Sequence, residues 1–271
     1  MKRALAALVV ALILFGQPAG AATSMILATT TSTQDTGLLD VLVPAFEKSS
    51  GYSVKTIAVG TGAALAMGEY GDADVLLVHA PSAEEAYMAR GRGLSRALVM
   101  HNAFIVVGPA ADPAHVKGSA TAQDGFAAIA RAGSTFISRA DDSGTNTKER
   151  ALWKAAAVTP VGGWYVKSGS GMGDTLHIAS QKAAYTLTDD GTYLSQRATL
   201  ALVPLVEDAK DLLNVYHVIV VKPIDGHVSN QAGGEAFARY VTSPEGQRLI
   251  ASYGREKFGR ALFSPDAGKG N

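Results

Sequence analysis

The sequence predicts an α/β protein of two lobes with mixed, mostly parallel sheets, and three observations predict it. Short apolar, β-branched runs alternate with helix-period segments along nearly the whole chain. The connections between them are short, as in strand–helix–strand units. Clusters of hydroxyls and glycines recur where a strand gives way to a helix, which is where open α/β sheets take their ligands.

The first segment reads as a leader. Lys2 and Arg3 precede an apolar run over residues 4–15, and Ala19-Gly20-Ala21-Ala22 supplies a small-residue cleavage site. The run is too short to span a bilayer, so residues 1–21 are expected to be a secretory signal peptide and the product periplasmic. About 250 residues remain, enough for two medium lobes with real cores. Cysteine is absent, which excludes disulfides, thiolate metal sites, a cysteine nucleophile and a lipid-anchored cysteine at the cleavage point. Of 24 basic and 24 acidic residues, removal of Lys2 and Arg3 leaves 22 against 24. A near-neutral chain lacks the basic face that nucleic acid or a membrane surface requires.

Residues 25–28 form a short apolar strand that runs into Thr29-Thr30-Thr31-Ser32-Thr33, with a helix beginning near Asp35. Hydroxyls at a helix start suit an anion, because about four N–H groups there have no internal partner and the end carries about half a positive charge. Capping by Ser32, Thr33 or Asp35 is the competing reading. Leu38, Leu42 and Phe46 keep helical spacing up to a stop at Gly51, with Pro44 as a possible kink. Residues 53–59 are a strand, and Gly60-Thr61-Gly62-Ala63-Ala64-Leu65 is either a second hydroxyl-bearing helix start or an ordinary glycine turn. Residues 74–78 are a buried strand ended by His79-Ala80-Pro81-Ser82, in which a lone histidine reads as a satisfied structural residue. A helix over 83–90 and a strand over 104–109 follow, and the 110–117 loop is the first candidate crossing between lobes.

A helix over 125–132 and a strand over 135–138 lead to the most informative segment, Arg139-Ala140-Asp141-Asp142-Ser143-Gly144-Thr145, which runs into a helix through Trp153. Arginine offers a planar set of donors and a permanent charge, and Ser143, Gly144 and Thr145 add hydroxyls and amides, a combination suited to a tetrahedral oxyanion. The competing reading makes Ser143 a plain cap and Arg139 a surface residue paired with Asp141 or Asp142. Gly169-Ser170-Gly171-Met172-Gly173 is a glycine-rich turn before a helix over 174–181, read either as a close backbone approach to a ligand or as a merely flexible connection. The strand over 183–188 ends at a fourth polar junction, Asp189-Asp190-Gly191-Thr192-Tyr193. A strand over 214–221 returns to the first half, a 222–228 loop and helices over 231–241 and 244–253 follow, and the tail after Ser264 is expected to fray. Crossings near 109–112 and 203–215 divide the chain into lobe 1 (22–109 plus 215–271) and lobe 2 (110–214). All four junctions then face one cleft, which is the plan of a type II (Venus flytrap) periplasmic binding protein.

Several of these segments also carry a family resemblance. Thr29–Thr33, Ala58-Val59-Gly60-Thr61-Gly62, the run Gly71-Asp72-Ala73-Asp74 through Pro81, the segment from Arg139 to Thr145, and Tyr185-Thr186-Leu187-Thr188-Asp189 together resemble the tungstate-binding proteins of ABC importers. The resemblance spans nearly all of the mature chain. It implies a two-lobed monomer with no cofactor, no cationic metal and no enzymatic activity, tungstate as ligand, and a permease and ATPase as partners. It also implies ligand contacts at Thr30, Thr31, Ser32, Thr61, Gly62, Arg139, Ser143, Gly144 and Thr145. Ala140, Asn146 and Asp190 depart from the family pattern, which has glycine, histidine and a basic residue there.

Phosphate carriers resemble the chain at Arg139-x-Asp141-x-Ser143-Gly144-Thr145, and molybdate carriers share the fold. Phosphate at neutral pH keeps a proton and wants a carboxylate to accept it, whereas tungstate is a bare dianion. After the 74–78 strand the chain reads His79-Ala80-Pro81, with no acid, and Asp141 and Asp142 are expected to orient Arg139 and cap the helix from behind. An exported serine hydrolase using His177 or His217 is the reading from another class. No G-x-S-x-G turn supports it, and six scattered histidines show no metal-ligand spacing.

Overall fold

The computed structural model describes residues 23–227 and 229–269. The expected signal peptide lies outside the described residues, as do Val228 at the end of the 222–228 loop and Gly270 and Asn271 in the tail. In chain order, β1 (Ser24–Thr30) leads to α1 (Thr31–Asp35), α2 (Leu39–Ser50), β2 (Ser53–Val59), α3 (Thr61–Tyr70), β3 (Val75–Val78) and α4 (Pro81–Ala89). Next come β4 (Gly93–Pro109), α5 (Ala122–Ala132), β5 (Phe136–Ser138), α6 (Gly144–Ala155), β6 (Tyr165–Lys167), α7 (Met172–Gln181), β7 (Thr186–Asp189) and α8 (Asp190–Gln196). The chain ends with β8 (Leu202–Val206), β9 (Leu213–Val221), α9 (Gln231–Thr242), α10 (Pro244–Ser252), α11 (Arg255–Phe258) and β10 (Ser264–Pro265).

The sheets are mixed. β1 pairs in parallel with β2 on one side and β3 on the other, as strand–helix–strand crossovers require. β3 runs antiparallel to β9, and β9 antiparallel to β4 from Gly93 to Ala103. From Phe104 onward β4 pairs instead with β7 and β8, while β5 and β6 form a parallel pair bridged from Phe136 to Tyr185. Thus β4 and β9 carry the chain between two bodies of structure.

The cores divide the same way. Met25, Leu27, Leu42, Phe46, Val99, Met100, Tyr216 and Phe237 pack together, with a second layer of Leu76, Val78, Tyr87 and Ile219 on the opposite sheet face. Phe104, Val106, Phe126, Phe136 and Trp153 form a separate cluster, faced by Ile105, Val107, Leu176 and Tyr193. Each such side chain contributes about 1.5–3 kcal/mol on burial, so each lobe holds itself together.

Two differences from the sequence reading have plain causes. The strand expected over 104–109 begins at Gly93, because Ser95, Arg96, His101 and Asn102 interrupt the apolar pattern of an antiparallel, half-exposed segment. Pro44 lies inside α2, which ends as expected at Gly51 in the left-handed region (φ 76°). The tail after Ser264 does not fray at its start: Ser264 and Pro265 pair with His101 and Met100, and the Asp266 carboxylate accepts hydrogen bonds from His101 and Lys269.

Candidate functional site

Three strand-to-helix junctions meet around Arg139. At the first, Thr30 Oγ1 caps α1 by accepting the Thr33 N–H at 3.2 Å, which turns Thr31 outward from β1. At the second, extended Gly60 feeds Thr61, the first residue of α3. At the third, Ser143 Oγ accepts the Asn146 N–H at 3.2 Å and opens α6. Between β5 and α6 the backbone is left-handed at Ala140 (φ 48°) and Asp142 (φ 55°), a sharp double turn that costs about 1–2 kcal/mol per residue. The sequence reading of Ser143 as a cap is correct and leaves the helix end available to an anion.

The lobes touch here. Arg139 Nη2 donates to Thr31 Oγ1 at 2.9 Å and to Asp141 Oδ2, and Asp141 Oδ1 accepts the Ser143 N–H at 3.2 Å. Gly62 N–H reaches the Asp142 carbonyl at 3.4 Å. A Cβ on Gly60 would lie 2.8 Å from the Asp141 carbonyl, and one on Gly144 2.8 Å from the His79 ring, so both approaches require glycine. Further along, the Gly173 N–H of α7 donates to Asp35 Oδ2 at 3.1 Å, and Ser195 Oγ donates to the Asp35 carbonyl at 3.1 Å. Burial pushes the Asp35 carboxyl up, while the Gly173 hydrogen bond and the Arg139 charge oppose that shift.

Among the described residues, four donors in this closed contact are buried without partners. Arg139 is 1% exposed, yet its Nε and Nη1 make no hydrogen bond. Thr61 Oγ1 and Thr145 Oγ1, on residues of similar burial, make none either. A buried unpaired donor costs about 1–3 kcal/mol, and a charged one more, so a cluster of four is untenable without an acceptor.

The remaining residues singled out from the sequence have other partners. Thr30 Oγ1 lies 2.7 Å from Thr33 Oγ1 and 3.1 Å from both Ser32 Oγ and His79 Nε2. Ser32 Oγ is also 3.1 Å from His79 Nε2. Thr30 and Ser32 therefore share one buried hydroxyl cluster with His79, which is indeed a satisfied structural histidine. Asp141 orients Arg139 as expected. Asp142 does not: it is exposed and pairs with Arg150 at 2.9 Å. Asn146 is buried, with its amide 3.4 Å from Ser138 Oγ and Glu149 Oε2. Asp190 meets Arg260 at 3.0 Å, and burial together with the neighbouring Asp189 pushes its carboxyl up to about 7. Sequence reading passed over Asn102 and Asn214, whose only signal is an uncharged amide within a strand.

The hydrolase reading finds no support in this geometry. Among the described residues no hydrogen bond joins His177 or His217 to a serine, and His217 is paired with Glu84 at 2.8 Å. The imidazole beside a serine is His79, and Ser32 is fully buried. Among the described residues no group of three or more His, Asp or Glu could hold a metal ion, and no helix is long and apolar enough to cross a membrane.

Two lobes that close over buried cationic and hydroxyl donors are the architecture of a solute-binding protein. Residues 17–245 match the PBP superfamily domain, and the chain belongs to that superfamily. Its relatives define the family more narrowly. The tungstate-binding protein TupA of Peptoclostridium acidaminophilum is 50% identical over 91% of this chain and 87% of its own. The crystal structure of the tungstate ABC transporter from Geobacter sulfurreducens is 46% identical, with a TM-score of 0.78, covering 85% of this chain and 98% of that one. The tungstate-binding protein TupA of Desulfovibrio alaskensis is 42% identical, with a TM-score of 0.74, over 91% of this chain and all of its own. The chain is a member of the family of ABC-transporter tungstate-binding proteins that these relatives represent.

Proposed function

We propose that this protein captures tungstate in the periplasm and delivers it to the permease and ATPase of an ABC importer, with molybdate as the competing ligand of equal charge and shape. The observation that carries the reading is the set of four unpartnered donors, Arg139 Nε and Nη1, Thr61 Oγ1 and Thr145 Oγ1, in a chain whose relatives are tungstate-binding proteins. A tetrahedral dianion has enough oxygens to accept from all of them, and Arg139 supplies charge that is independent of pH.

In this reading Thr31, Ser32, Thr61, Arg139 and Thr145 contact the anion directly. Ser143 and Gly144 present the N-terminus of α6, Gly62 that of α3, and Thr30 lies in the hydroxyl layer beneath. The packing supports lobes of 23–103 plus 213–269 and of 104–212. The first crossing then falls inside β4, earlier than the 110–117 loop, because Phe104 through Val107 bury their side chains in the second lobe.

Competitive calorimetry tests the proposal. Tungstate and molybdate should bind at one site per chain, and sulfate and phosphate far more weakly. Absence of tungstate binding, or a tighter complex with phosphate, would overturn it.

A further inference from the structure

Behind the oxyanion site a line of polar side chains crosses both linking strands. Asp189, at the end of β7, accepts the Thr192 N–H at 2.8 Å and the Thr192 hydroxyl at 2.7 Å, and its Oδ1 also takes the Asn102 Nδ2 amide at 3.3 Å. Burial pushes the Asp189 carboxyl up while these donors oppose the shift, and its Oδ1, already accepting the Thr192 N–H, is an acceptor, so the NH2 of Asn102 must face it and the Asn102 carbonyl must face away. That carbonyl accepts from Asn214 Nδ2 at 2.7 Å, across the register pair that β4 and β9 make at these two residues. Asn214 Nδ2 spends its other proton on Tyr216 Oη at 3.0 Å. The Asn214 carbonyl is thereby turned to His79 Nδ1, 2.9 Å away.

Each link in this line has one allowed direction, set by the acidic end. His79 must carry its proton on Nδ1, and its Nε2 is then a bare acceptor. Burial pushes the His79 imidazole down to about 4, so at neutral pH it does not gain a second proton.

We propose that Asp189, Asn102 and Asn214 are positioning residues that hold His79 as the Nδ1–H tautomer, making Nε2 the terminal acceptor for the hydroxyls of Thr33, Thr30 and Ser32, so that the cluster is satisfied without ligand and yields the Ser32 proton only when an oxyanion is bound. The proposal rests on the oxyanion reading above. Proton counting gives its content. Without ligand, the three hydroxyls form one satisfied chain, Thr33 to Thr30 to Ser32 to His79 Nε2, over distances of 2.7, 3.1 and 3.1 Å. With an anion present, Thr30 turns its proton directly to Nε2, also 3.1 Å away, and the Ser32 proton is released to the ligand. The exchange costs two hydroxyl rotations and leaves no donor unpaired. With the Nε2–H tautomer the imidazole would donate to Ser32 Oγ, and the Ser32 proton would have no acceptor until an anion arrived, so the ligand-free cluster would be left one acceptor short. The line also spans the crossing strands, so the tautomer is fixed where the two lobes join.

The test uses the full mature protein with 15N-labelled histidine. Two-bond 15N–1H correlations report which ring nitrogen of His79 is protonated, with and without saturating tungstate. The expected result is Nδ1–H with a bare Nε2 in both states of the wild type. Asn102→Leu keeps a similar shape, excludes water and has no oxygen, so Asn214 is free to flip. It should populate the Nε2–H form, lower the melting temperature of the ligand-free protein and tighten tungstate about tenfold, since the anion then takes the one hydroxyl proton left without an acceptor, with a folded spectrum. An Nε2–H His79 in the ligand-free wild type overturns the proposal even if no variant folds. So does a folded Asn102→Leu protein with the tautomer unchanged, or with the tautomer altered and the affinity unchanged or weakened. A wild type that fails to bind tungstate but shows the Nδ1–H signature would refute the functional reading and leave the tautomer assignment standing.

Discussion

Replacement of Arg139 should separate binding from folding. In Arg139→Ala the two free guanidinium nitrogens are lost together with the charge. A charge-assisted hydrogen bond is worth about 1.5–3 kcal/mol, so two of them amount to about 3–6 kcal/mol, or about a hundredfold to ten-thousandfold in affinity. Arg139→Lys keeps the charge but presents a single nitrogen. It should lose about one such bond, about tenfold to a hundredfold. Folding should respond differently, because in the ligand-free chain those nitrogens stabilise nothing. Among the described residues the Arg139 side chain hydrogen-bonds only to Thr31 and Asp141, its carbonyl keeps the Gly169 N–H in any variant, and Asp141 keeps its Ser143 N–H bond without it. The melting temperature of ligand-free Arg139→Ala should therefore stay within about 4 °C of wild type, while the shift on adding tungstate disappears. Calorimetry and thermal melts with and without tungstate measure both arms. A dissociation constant within tenfold of wild type for Arg139→Ala would refute the reasoning.

Other expectations follow from the same contacts. Tungstate at about a thousand times its dissociation constant should stabilise the protein by about 4 kcal/mol, or about 8–16 °C for a chain this size, and should compact it in solution scattering. Unchanged melts and scattering curves would contradict a closing cleft. Phosphate should bind no better than sulfate at neutral pH, since Asp141 is already committed to Arg139 and Ser143 and cannot take a phosphate proton. Affinity for phosphate within tenfold of tungstate would show that a carboxylate faces the ligand. Asp190, pushed up to about 7 from 3.8, binds a proton more tightly folded than unfolded, so its contribution is present below about 4 and is lost as pH rises to about 7. His79, pushed down to about 4 from 6.5, acts in the opposite direction over the lower part of that range. Asp190→Asn should then be more stable than wild type at pH about 8, by at most about 4 kcal/mol, with the gain shrinking toward pH about 4. Urea melts across pH check this, and a variant less stable than wild type at every pH would rule it out.

Much of the fold was legible because its parallel strands are short, apolar and followed by helix starts with strong punctuation. Gly51, left-handed, closes α2 where the sequence says it should. The half of β4 before Phe104 was not legible, since Arg96, His101 and Asn102 point to partners that only the tertiary structure supplies. Within the site, Arg139, Thr61 and Thr145 stood out because charge and hydroxyls gather at helix starts. The division of labour within Thr30-Thr31-Ser32 did not. Five hydroxyls look alike in sequence, and only the buried His79 ring distinguishes those that face it from Thr31, which faces Arg139. Asn102 and Asn214 are far apart in sequence and become a unit only through strand register.

The most direct test of the account is a crystal of the protein grown with tungstate and measured at a tungsten absorption edge. The account predicts one strong anomalous peak per chain, with oxygens in hydrogen-bond range of Arg139 Nε and Nη1, Thr61 Oγ1 and Thr145 Oγ1. A peak elsewhere on the chain, with those four atoms still lacking an acceptor, would contradict it.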